Sequence, residues 1–105
     1  MKAVYSFKKE FEIDGHEFEL DMRTFKSDNL MAVSKKFTAA SEQVGKEQAD
    51  IKLIISLYKE AIEYILGEGA FDKIFGETGA TPRACNNLLE FLTGELKKEF
   101  GLAEK

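Results

Sequence analysis

The chain holds one histidine, His16, and one cysteine, Cys85, the two side chains from which thiol enzymes build a general base and a nucleophile. An imidazole titrates near neutral pH, and a thiolate near a helix start is stabilised, so each is weighed as a catalytic group. His16 stands beside a turn, with carboxylates but no nucleophile in its local sequence, and reads as a turn residue. Cys85 falls in register with Leu88 and Leu89 and reads as a small buried hydrophobe. A single cysteine forbids an intrachain disulfide and leaves a thiolate zinc site without companions.

Six carboxylates lie between Glu10 and Asp21 with no Lys or Arg among them. An EF-hand needs oxygen ligands at fixed positions and a closing glutamate, and that pattern is absent. A solvated strand face is the favoured reading, with a basic partner surface as its main rival and a divalent cation behind both. Such charges also guard a sheet edge against uncontrolled pairing. Gly67, Gly69, Gly76 and Gly79 match neither the dinucleotide fingerprint nor the phosphate-binding P-loop, and no Gly-Lys-Ser/Thr follows them. They read as helix stops and hinge points. Ser27-Asp28-Asn29 echoes a β-lactamase motif whose companions are missing. No catalytic, cofactor-binding or metal-binding residue is therefore assigned, and a non-enzymatic role is expected.

The elements that must position these groups are legible in outline. Asp14-Gly15 sits between alternating runs and predicts a two-residue type I′ turn, with Ile13 opposite His16, Glu12 opposite Glu17 and Phe11 opposite Phe18. That register gathers Phe11, Ile13, His16, Phe18 and Leu20 on one face. Glu10, Glu12, Glu17 and Glu19 occupy the other, with like charges directly across the ladder. A lone hairpin is marginal in water, so it must lean on helices or join a neighbouring sheet.

A first helix is expected from a cap at Ser27-Asp28 to Gly45, with Leu30, Val33, Phe37, Ala40 and Val44 as its apolar stripe. A second, from Lys46 or Gln48 to Leu66, is apolar on more than one face and reads as the central helix. Gly67 closes it, and Ala70 to Phe75 forms a short turn stopped by Gly76, with a loop over 77–80. Thr81 as cap and Pro82 at the first helical position start the last helix, which buries Cys85, Leu88, Leu89, Leu92, Leu96 and Phe100 before Gly101. Residues 102–105 are expected to fray. The fold class is α+β, an N-terminal β-hairpin (about 4–22) followed by a mostly helical part (about 27–101) with three longer helices and one short one, in a single domain over 1–105.

Exposed aromatic clusters mark interfaces, which makes Phe71, Phe75, Phe91 and Met31 candidates for partner contact alongside Glu10, Glu12, Glu17 and Glu19. For Phe71, Phe91 and Met31 core and surface remain equal alternatives, whereas Ile74 and Phe75 lean to the core. At 105 residues, with a net charge of −4 and scattered lysine pairs, the chain lacks the clustered cations of a nucleic-acid binder. It has no apolar run of membrane-spanning length and no secretory signal, so a soluble cytoplasmic protein that binds another protein is expected.

The order of pieces resembles the tail assembly chaperones of siphophages and prophages of Gram-positive bacteria. The matching pieces are the hairpin Phe11 to Leu20, the helix Leu57 to Leu66, the glycine-bounded aromatic segment Gly67 to Gly76, and a closing helix like Leu88-Leu89-Glu90-Phe91-Leu92. The resemblance covers nearly the whole chain and lies in that order of elements. It implies a non-enzymatic role in the bacterial host cell: binding the long helical tape measure protein, keeping that apolar rod soluble and recruiting tail tube subunits. Self-association through the hairpin edge or the Phe71 region is a separate expectation from the residues themselves. Another structural or adaptor protein of tail morphogenesis is the first alternative, and a small enzyme or metal-binding domain the second.

Overall fold

The computed structural model describes residues 2–3, 5–46, 48–76 and 79–102. The expected loop residues Glu77 and Thr78, Val4 at the start of the hairpin and the end at 103–105 lie outside the described residues. Two strands, β1 (Lys8–Ile13) and β2 (His16–Asp21), precede four helices, α1 (Ser27–Val44), α2 (Ile51–Leu66), α3 (Ala70–Phe75) and α4 (Pro82–Glu99). The α+β architecture is as expected.

Asp14 and Gly15 adopt φ of +51° and +83°, the paired left-handed geometry of a type I′ turn, and this fixes the antiparallel register. Ile13 lies opposite His16, Glu12 opposite Glu17, Phe11 opposite Phe18 and Glu10 opposite Glu19, as the turn predicts. Phe11 and Phe18 are buried in the same cluster as Ile54, Tyr58, Ile62, Leu89 and Leu92, so the hairpin shares the helical core rather than standing free. Burial of that kind is what a two-stranded ribbon needs to persist in water.

Helix α1 begins at Ser27, where it is expected, but its cap differs. Ser27 and Asp28 already lie inside the first turn, and the cap position is Lys26, whose backbone amide donates to Asn29 Oδ1 at 2.7 Å. An Asn at the third helical position can reach back to the cap residue, and the Asp28 carboxylate still complements the positive end of the helix. Leu30, Val33 and Ala40 are buried, while Val44 is exposed because it ends the helix beyond the cover of its neighbours.

Helix α2 starts at Ile51 rather than at 46 or 48, because the Asp50 side chain accepts the amides of Lys52 at 3.0 Å and Leu53 at 3.3 Å. A carboxylate in that position satisfies two of the amides that a helix start leaves unpaired. Helix α2 touches α1, α3, α4 and β2, the central position its composition implied. One stripe, with Leu53 and Tyr64 half-exposed, nevertheless stays open to solvent.

Thr81 caps α4 through Oγ1, which accepts the Ala84 amide at 3.1 Å, and Pro82 takes the first helical position. At the far end Gly101, with φ of +72°, donates to the Lys98 carbonyl and Leu102 to that of Lys97, a Schellman closure. Cys85, Leu89, Leu92 and Leu96 are fully buried along one side of α4.

Candidate functional site

The four glutamates nominated on the hairpin share one exposed face. Ile13 and His16 flank a two-residue turn and are hydrogen-bonded partners, and Met22 donates to the Phe7 carbonyl at 2.9 Å in the same alternation. Glu12 and Glu17, and Glu10 and Glu19, therefore fall at the non-hydrogen-bonded positions, where opposed side chains approach most closely. Lys8 answers one of them, with its Nζ 3.2 Å from Glu19. Between the pairs lies a shallow recess of about 250 Å³. Among the described residues no group of three or more His, Cys, Asp or Glu side chains is placed to hold a metal ion.

The aromatic candidates divide. Phe71 is 5% exposed and belongs to the core, with its ring tilted against that of Phe75 at 4.9 Å between centroids. Phe75 and Ile74 are partly buried against the same cluster. Phe91 is 48% exposed and stands edge-on to Phe11 at 6.4 Å, while Met31 on α1 is 59% exposed. Phe91 and Met31 are thus the aromatic and apolar candidates a partner could reach directly.

The thiol of Cys85 is enclosed, and burial pushes it up to about 11, so it stays protonated and shielded at neutral pH. His16 is exposed at the hairpin turn. The fold encloses the thiol and leaves the imidazole in solvent, so the two do not form the activated pair that thiol catalysis requires.

A feature that periodicity did not reveal is a furrow between α1 and α4. One stretch, of about 450 Å³, runs between Ser34, Phe37 and Ser41 on α1 and Thr93 and Lys97 on α4. It adjoins a second of about 420 Å³, where Ser41 and Val44 face Pro82, Arg83 and Asn86 over the ring of Tyr58. The furrow exists because α1 offers small side chains, Ser34, Thr38 and Ser41, where it passes α4, and because Tyr58 is tied down by its hydroxyl, which donates to Asn86 Oδ1 at 3.0 Å. The rim is charged, with Glu42 on one side and Arg83 and Lys97 on the other. Small residues on the flank of the α1 stripe leave room for it, but only the setting of α4 against α1 opens it.

No protein-family model, curated protein or solved structure matches this chain. No described helix is long and apolar enough to cross a membrane.

Proposed function

We propose that this chain is a phage tail assembly chaperone that binds the tape measure protein and helps the tail tube polymerise around it, without catalysing a reaction. The observation that carries the reading is the furrow between α1 and α4. It is shallow, apolar at its floor around Phe37 and Tyr58, and rimmed by Glu42, Arg83 and Lys97. An amphipathic helix laid in such a groove places its apolar side chains on the floor and its polar ones against the rim. A chaperone that must later yield to tube subunits needs contacts of this kind, weak singly and repeated along a rod. The exposed Phe91 and Met31 and the glutamate face of the hairpin add further surface for the tube protein.

Titration calorimetry with a helical segment of the tape measure protein from the same phage tests the reading. Binding by the native chain, abolished by Ser41→Arg, which fills the furrow, is the expected result. Equal binding by both proteins removes the furrow as the site, and no binding by either removes the reading. A second measurement separates the chaperone from a structural or adaptor protein of the tail: the chain is expected to be absent from purified virions by mass spectrometry.

A further inference from the structure

A two-stranded sheet has two open edges, and the register decides what each presents. In β1 the backbone groups of Lys9, Phe11 and Ile13 face β2, so those of Lys8, Glu10 and Glu12 face outward; in β2 the outward set is Glu17, Glu19 and Asp21. Among the described residues no backbone group of another element pairs with Glu10 or Glu12, and both residues are exposed. The Lys8 amide donates to Ser6 Oγ at 3.1 Å, a contact with a mobile hydroxyl that a strand carbonyl can replace.

We propose that the outer edge of β1 pairs with the same edge of a second copy, joining the two hairpins into one antiparallel sheet about a two-fold axis at Glu10. With the axis there, Lys8 lies opposite Glu12 of the second copy on the outer face, twice by symmetry, and these two opposite-charge pairs flank the one like pair, Glu10 against Glu10 at the axis. On the inner face Phe7, half-exposed, lies opposite the partly buried Ile13 of the second copy. Opposite charges and apolar pairs across a ladder both favour its formation.

The β2 edge has no such solution. A symmetric pairing about Glu19 brings Glu17 against Asp21 of the second copy and Glu19 against itself, so every outward residue meets its own charge. The β1 edge therefore sets two opposite-charge pairs against one like pair, whereas the β2 edge offers like pairs alone. Phe91, exposed and edge-on to Phe11 of β1, adds apolar surface beside the self-complementary strand. This pairing does not depend on what the furrow binds.

Sedimentation equilibrium of the full chain tests it. Glu10→Pro removes one outward amide of β1 and spares the bonds to β2, which that amide does not serve, while Glu19→Pro does the same to the β2 edge. The native chain is expected to dimerise, Glu10→Pro to raise the dissociation constant by at least about tenfold, and Glu19→Pro to leave it unchanged. Because a proline can unfold a strand, a charge swap provides the second arm. Lys8→Glu and Glu12→Lys are each expected to weaken the dimer several-fold, and the double variant to restore it. A native chain that stays monomeric up to about 1 mM, a dimer lost on Glu19→Pro but kept on Glu10→Pro, or a double swap that fails to restore association overturns the proposal.

Discussion

The carboxylate of Glu63 on α2 accepts the backbone amide of Phe71 at 3.2 Å, and the same oxygen accepts that of Gly69 at 3.1 Å. Helix α3 follows a glycine that has no side chain to cap it, so the preceding helix supplies the acceptor from across the turn. Glu63→Ala is expected to lower stability by about 1–2 kcal/mol, because two partly buried donors lose their acceptor, and Glu63→Gln by less, because an amide oxygen still accepts. Urea unfolding reads both. An alanine variant as stable as the native chain would show that α3 is held by packing alone.

Phe71 and Phe91 should separate in their energetics. Phe71 is in the core, so Phe71→Ala is expected to cost about 3–5 kcal/mol. Phe91 keeps half its surface in water and loses mainly its edge contact with Phe11, so Phe91→Ala should cost about 1 kcal/mol. Thermal unfolding of the two variants makes the comparison, and losses of equal size contradict this division between core and surface.

Cys85 is expected to resist labelling by thiol reagents between pH 7 and about 8.5, where a free cysteine reacts readily. Its enclosure and the raised pKa, about 11, both keep the thiolate away from the reagent. Labelling should appear only at the rate at which the protein opens. Rapid stoichiometric reaction of the folded chain would mean that α4 does not cover it as described.

The hairpin is tied to α4 by charge as well as by phenylalanines. Lys9 Nζ lies 3.2 Å from both Glu95 and Glu99, and Lys98 lies 3.0 Å from Glu95. Hydrogen bonds from Lys98 and Lys9 hold Glu95 below its ordinary value. Burial opposes the charge on Lys9, yet the hydrogen bonds and charges of Glu95 and Glu99 raise it overall. A carboxylate depressed in the folded state contributes stability above its unfolded pKa and loses it as pH falls through the folded value. A raised lysine contributes below its unfolded pKa and loses that contribution as pH rises through the folded value. The network should therefore be fully effective between about pH 5 and about pH 10 and fade on both sides. Lys9→Met is expected to flatten the acid limb of the pH–stability curve that Glu95 contributes, measured by urea unfolding from about pH 6 down to about pH 3. A variant curve parallel to the native one contradicts the linkage.

Where short-range chemistry decides, the fold was legible in the residues. Asp14-Gly15 and Thr81-Pro82 act within a few positions, and both the hairpin register and the start of α4 follow from them. The start of α2 lies beyond the expected 46 or 48 because Lys46, Gln48 and Ala49 all suit a helix, and only the side chain of Asp50 sets the boundary at its own position. The cap of α1 falls on Lys26 for a similar reason, since Asn29 reaches back past the more conspicuous Ser27-Asp28. Phe71 had no readable destination, because one helical turn is too short to show a period. The furrow was hidden for a different reason: it is a gap between α1 and α4, and a gap depends on how two helices are set relative to each other rather than on either stripe.

Co-expression with a tape measure protein, the partner that the proposed chaperone role requires, tests that proposal most directly. The tape measure protein is expected to be insoluble or degraded alone, and soluble and co-purifying with this chain when both are made. A tape measure protein equally soluble alone, with no complex formed, contradicts the chaperone account.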